Sequence, residues 1–285
     1  MPDILGVIGG SGLYEIEGMS TLRSVRVRTP FGDPSDEILV GDLGGRTLAF
    51  LPRHGKGHRI LPSQINFRAN IYALKKIGVR RVLSFSAVGS MRESIRPGDL
   101  VIVDQFYDHT RSRPATFFGD GVVGHILFAD PVCPGLADIA RKAARKVVRR
   151  VHDRGTYLCI EGPAFSTRAE SRIYRKWGVD VIGMTNLPEA RLAREAELCY
   201  ATVALATDYD CWHTTAEDVT IGAVLEVLRK NVENAKRILR EVAARLPEAP
   251  SCSCGETLRN AIITDRKRIP PGTRKRLSLL IGKYL

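Results

Sequence analysis

Two carboxylates one residue apart, Asp208 and Asp210 in "ATDYDCW", follow directly on the apolar run "CYATVALA". In an extended chain residues i and i+2 face the same side, so the two acids point together while Tyr209 points away. Neighbouring buried carboxylates repel, and burial raises their pKa, so the pair is costly unless something binds there. A metal ion, a sugar or a ligand bearing N–H donors would serve; a solvated turn after a strand explains the same spelling. Four other small or polar stretches also end strand-like runs: "GGSG", "RHG", "FSAVGS" and "GMTN". Gly9, Gly10 and Gly12 let main-chain N–H groups approach an anion closely, and Ser11 adds a hydroxyl. Arg53 and His54 add a charged fork and an imidazole donor, while Ser86, Ala87 and Thr185 add hydroxyl and main-chain donors. Each stretch alone is ordinary. Together they describe a place for inorganic phosphate.

Other chemistries fit less well. His54 and His58 of "HGKGH" are four residues apart, but the glycines between them argue against the helix that would aim both imidazoles at a metal shared with Asp208 and Asp210. No metal or cofactor is expected. "GVIGGSG" lacks the G-x-G-x-x-G spacing, so a nicotinamide oxidoreductase is weakly supported. No G-x-S-x-G elbow is present.

In open α/β sheets ligands sit beyond the carboxyl ends of strands, so the elements must bring these stretches to one edge. "DILGVIG" and "RTLAFLP" read as buried strands, and "VRRVLSFSAVGS" as a strand entering a small-residue turn. "GDLVIVDQF", "GTYLCI" and "DVIGMT" are further strands. Helical spacing recurs in "INFRANIYALKKIG", "LADIARKAARKVVRRV", "STRAESRIYRKWG" and "NLPEARLAREAE". A long amphipathic helix from about Thr220 carries Ile221, Val224, Leu225, Leu228, Val232, Ala235 and Leu239 on one face. Alternating strands and helices imply a single α/β domain, residues 1–246, with a central mixed sheet flanked by helices. A C-terminal arm, residues 247–285, opens on "PEAPSCSCGE" and ends in a basic tail.

The net charge of +12 suggests a nucleic-acid-binding module, but its distribution argues otherwise. Half of it lies in the tail, where Arg266, Lys267, Arg268, Arg274, Lys275, Arg276 and Lys283 face Asp265 alone. No zinc-finger spacing, repeat or aromatic-rich RNA-reading strand accompanies it, so no nucleic-acid partner is expected. No apolar run approaches the roughly 18 residues of a membrane span, and the N-terminus has no secretory pattern. The expectation is a cytoplasmic protein without membrane partners. Only six asparagines and two glutamines occur, a heat-adapted composition. With it, the six cysteines make at least one intracellular disulfide plausible, although inert buried thiols explain them as well. The C-x-C of Cys252 and Cys254 falls outside the usual zinc spacings.

Phosphate beside a base-like acceptor pair suggests phosphorolysis of a nucleoside. "GVIGGSGL", "TPFGDPSD", "RHGKGH", "RPGDLVIVDQFYDHT", "CIEGPAFSTRAES" and "GMTNLPEARLAREAELCYATVALATDYDCW" closely resemble the 5'-methylthioadenosine phosphorylases of the purine nucleoside phosphorylase family, over about Gly6 to Leu239. The C-x-C is similar to that of disulfide-rich archaeal members. The resemblance implies phosphorolysis of 5'-methylthioadenosine to adenine and 5-methylthioribose 1-phosphate, with phosphate as co-substrate and no cofactor. It implies phosphate contacts from Ser11, Arg53, His54, Ser86, Ala87 and Thr185. Met184 would lie under the ribose, Phe165 would stack on the base, and Asp208 and Asp210 would bind it, with Asp208 as general acid. Ile221, Val224 and Leu225 would line the 5' position, and His125 would come from a neighbouring subunit of a trimer or a pair of trimers. A broad purine nucleoside phosphorylase or a methylthioinosine phosphorylase is the near alternative. One departure stands out: Gly183 occupies a position where the family often has asparagine, from which no functional change is read.

Overall fold

The structure is a computed structural model that describes residues 4–10, 13, 16–213 and 221–285; side chains at 21–22, 221–225 and 228 also lie outside the description. The chain runs β1 (Ile4–Gly9), β2 (Met19–Val25), β3 (Ile38–Leu43), β4 (Arg46–Pro52), α1 (Phe67–Lys76) and β5 (Val79–Ser90). It continues through β6 (Leu100–Val103), β7 (Gln105–His109), α2 (Pro134–Val147), β8 (Val151–His152), β9 (Thr156–Ile160) and α3 (Arg168–Lys176). The last elements are β10 (Val181–Gly183), α4 (Asn186–Glu195), β11 (Cys199–Tyr209), α5 (Ile221–Arg245) and α6 (Pro271–Ile281). The eleven strands of the described residues form one mixed sheet.

Period-two alternation splits the core into two layers. On β4, Ala49 and Leu51 face one side and Leu48 and Phe50 the other; on β6, Val101 and Val103 oppose Leu100 and Ile102. The first layer packs under α1, α4 and α6, the second under α2 and α5. Local signals fix the helix ends. The Asn66 side chain accepts from the Ala69 N–H to start α1, which closes near Gly78 at φ +96°. Thr167 and Glu170 form a reciprocal capping box at α3. The segment after Pro247 rejoins the body: Leu258, Leu277, Leu280 and Ile281 are buried in the first layer, and Cys254 in the second.

β5 positions the site. It pairs in parallel with β1 as far as Ser84 and antiparallel with β10 at Gly89 and Ser90, while β11 runs parallel along its other edge. Residues 85–88 therefore lie between the end of one ladder and the start of the next. The sequence reads "FSAVGS" as a turn, yet it is strand throughout; burial against β11 overrides the weak strand propensity of Ser, Ala and Gly.

Candidate active site

The gap beside residues 85–88 opens into a cavity of about 430 Å³, lined from the ends of β1, β4, β5, β10 and β11. Gly10, Arg53, His54, Ser86, Ala87, Phe165, Met184, Thr185, Asp208 and Asp210 all reach it. Ser11 lies outside the described residues. So do the side chains of Ile221, Val224 and Leu225, whose backbone forms the start of α5; Val232 is the described α5 residue at the wall. His125 does not line this chain's cavity. It sits on an exposed loop whose N–H donates to the Ala261 carbonyl at 2.8 Å.

Arg53 is 2% exposed, and most of its donors are occupied. Nε donates to Glu189 Oε2 at 2.7 Å, and Nη2 to Glu189 Oε1 at 2.9 Å and Ser84 Oγ at 2.6 Å. Nη1 donates to the Phe85 carbonyl at 3.0 Å. The Glu189 carboxylate also accepts from Ser84 Oγ and from Tyr200 Oη. The ion pair holds the guanidinium charged despite its burial. Phe85 turns its carbonyl to this edge, so strand alternation turns the Ala87 N–H the same way. Ser86 Oγ lies 3.1 Å from Tyr157 Oη and 3.4 Å from Thr185 Oγ1, joining β5 to the end of β10.

His54 differs from its reading as a donor to the cavity. Its Nδ1 is 2.9 Å from the Ile60 carbonyl, which can only accept, so Nδ1 carries the proton. Burial, with Arg53 and His58 nearby, pushes its pKa down to about 4. The neutral ring therefore offers Nε2 as an acceptor. The His54 and His58 rings stack with centroids 4.2 Å apart.

At the far end, the register of β11 against β5 slips between Ala206 and Asp208, a bulge that re-aims the acids. Both sit over Gly89: a Cβ there would lie 3.3 Å from Asp208 Oδ1 and 3.5 Å from the Asp210 Cβ. Thr207 Oγ1 donates to Asp208 Oδ2 at 2.6 Å, whereas Asp210 Oδ2 is buried with no hydrogen-bond partner among the described residues. Burial raises both pKa values; the Asp210 charge raises that of Asp208 further, against the lowering effect of Thr207. Phe165 stands at the mouth, 86% exposed. The floor is held by Arg113, whose Nη1 donates to the carbonyls of Met184 at 2.6 Å and Leu187 at 2.8 Å, while its Nε binds Glu161 at 3.0 Å.

The sequence reading missed Glu189, Tyr157 and Arg113. A glutamate inside the apolar stripe of "NLPEARLA" was the one available signal for the first. Tyr157 also explains Gly183. A Cβ on Gly183 would lie 2.0 Å from Tyr157 Oη and 2.6 Å from its Cζ, so the ring fills the space a side chain would need. Gly183→Ala is expected to cost about 1–3 kcal/mol by overpacking and to pull Tyr157 off Ser86 and Thr185. Thermal unfolding and the phosphate KM check this, with recovery in Gly183→Ala/Tyr157→Leu; an unchanged Tm in the single variant would contradict it.

The chain is similar to known proteins over nearly its whole length. The Phosphorylase superfamily model matches residues 4–244. The S-methyl-5'-thioadenosine phosphorylase of Geobacter sulfurreducens is 57% identical, with all of both chains covered. A solved methylthioadenosine phosphorylase from an antarctic soil metagenomic library superposes with a TM-score of 0.94 at 47% identity, covering 98% of this chain and 99% of that one. Methylthioadenosine phosphorylase from Schistosoma mansoni in complex with adenine gives 0.84 at 38% identity, covering 91% and 99%.

Proposed function

The chain belongs to the phosphorylase superfamily, and we propose that it is a pentosyltransferase cleaving 5'-methylthioadenosine with phosphate to adenine and 5-methylthioribose 1-phosphate. The observation that carries this reading is the single cavity with anion donors at one end and a raised-pKa carboxyl pair at the other. Phosphate would lie against Gly10, Ser86, the Ala87 N–H and Thr185, beside Arg53. Because His54 presents an acceptor there, the bound phosphate keeps a hydroxyl that donates to Nε2. The purine would lie over Gly89, under Phe165, with Met184 beneath the ribose.

As the C1'–N9 bond breaks, its electron pair moves onto the purine and positive charge develops on the sugar. A phosphate oxygen stabilises that charge and then bonds to C1'. The protonated Asp208 carboxyl donates toward N7 and accepts from the 6-amino group with its other oxygen. The mechanism routes no step through a cofactor. Assembly as a trimer or a pair of trimers would bring His125 to a neighbour's cavity; exposed Val123, Leu127 and Ile263 suit such a contact. Among the described residues no helix is long and apolar enough to cross a membrane. A cytoplasmic, heat-adapted setting belongs to the same reading.

The test is adenine release from methylthioadenosine with and without phosphate; release that ignores phosphate overturns phosphorolysis. With an apolar 5' wall, methylthioadenosine should exceed adenosine in kcat/KM by roughly 10–200-fold. Equal values would favour a broad purine nucleoside phosphorylase.

A further inference from the structure

All six cysteines are free thiols in the structure, so the expected bridge is not shown; four of them converge on one point. Cys133 stands at the N-cap of α2, Cys199 begins β11, and Cys252 and Cys254 come from the segment after Pro247. Their Sγ atoms all lie within 4.8 Å of one another. Cys199 and Cys252 are 3.2 Å apart, Cys133 and Cys252 3.7 Å. A tetrahedral zinc thiolate with Zn–S of about 2.3 Å has sulfur–sulfur edges of roughly 3.8 Å. Both separations are well above the roughly 2.05 Å of a sulfur–sulfur bond.

We propose that Cys133, Cys199, Cys252 and Cys254 hold one zinc ion as a tetrathiolate site, separate from the catalytic cavity. No oxidant is needed: the four thiol protons leave to solvent and four sulfur–zinc bonds form. Cys133, Cys199 and Cys254 are buried, while Cys252 is partly exposed and gives the ion a path in. Four protein ligands leave no open position, so the role is structural. The C-x-C spacing looks wrong for zinc only when its partners are sought nearby; here they come from 119 and 53 residues away. The ion would fasten the C-terminal segment to α2 and β11. From that anchor the chain runs to Leu258, whose N–H donates to the buried Glu197 carboxylate at 3.0 Å, and on to Ala261 beneath His125.

The experiment uses the whole protein, purified under reductant without chelator. One zinc per chain is expected by elemental analysis, released as a mercurial titrates the thiols. Cobalt in its place should give the intense sulfur-to-metal absorption of a tetrahedral tetrathiolate. Cys252→Ser should lose that absorption, and Cys211→Ser should keep it. If Cys252→Ser fails to fold, the metal count and cobalt spectrum of the parent decide. Substoichiometric zinc without cobalt uptake overturns the proposal, as does a cobalt spectrum that survives Cys252→Ser. Two disulfides in the denatured, unreduced protein would also overturn it.

Discussion

Asp208→Asn is expected to lower kcat/KM for methylthioadenosine by about 10²–10⁴-fold, the usual worth of a positioned general acid. An amide presents N–H to the purine where the carboxyl presented an acceptor to the 6-amino group, so relative activity should rise on methylthioinosine, whose 6-oxygen can accept. The pH dependence follows from the raised pKa. The acid works protonated, so activity is full below the raised folded pKa and falls as pH climbs through it. Asp210→Asn removes the neighbouring charge that raises the Asp208 pKa, and its alkaline limb should move to lower pH. Stability has the same sign. Folding favours the protonated carboxyl, so its contribution is present below the ordinary carboxylate pKa and lost as pH rises through the raised one. Asp208→Asn should therefore gain stability relative to the parent at high pH. The checks are pH profiles of kcat/KM on both nucleosides and denaturant unfolding across pH. An unchanged adenine preference and alkaline limb in Asp208→Asn would make the pair structural.

Arg53→Ala is expected to destabilise the fold before it reveals anything about phosphate. The sequence suggests a free cationic fork whose loss would raise the phosphate KM. The structure has that fork bidentate on Glu189, so truncation leaves a buried carboxylate without its partner, at a cost of about 3–5 kcal/mol. Glu189→Gln in the same chain removes the orphaned charge and should recover much of the loss, while the phosphate KM stays raised. Urea unfolding and phosphate kinetics on both single variants and the double separate the two effects. A fully stable Arg53→Ala would show that the ion pair contributes little to the fold.

Much of the site was legible because it is written at strand ends. Asp208 and Asp210 share a face and a burial signal within five letters, and "RHG", "FSAVGS" and "GMTN" carry polar groups that line one cavity. Residues whose partners lie far along the chain were not legible. Glu189 meets Arg53 across 136 residues, Arg113 meets Met184 across 71, and no local pattern marks either pairing. The antiparallel strands β2 and β3 also went unread. β2 is largely exposed and polar, so it lacks the alternation that betrays a half-buried strand. The cysteine cluster is the extreme case, since its meeting point exists only once α2, β11 and the last segment are in place.

Tyr157 and Gly183 exclude each other's side chains, and this constrains the order in which the two codons can change. A side chain gained at 183 first collides with a buried ring. A smaller residue gained at 157 first leaves room for it, and the lesser cost is that Ser86 and Thr185 give up the tyrosine hydroxyl they share. The open route between this chain and a relative with asparagine before the methionine therefore runs through position 157. Such relatives are expected to carry a residue smaller than tyrosine there, and an ancestral reconstruction with both large side chains would be unfit.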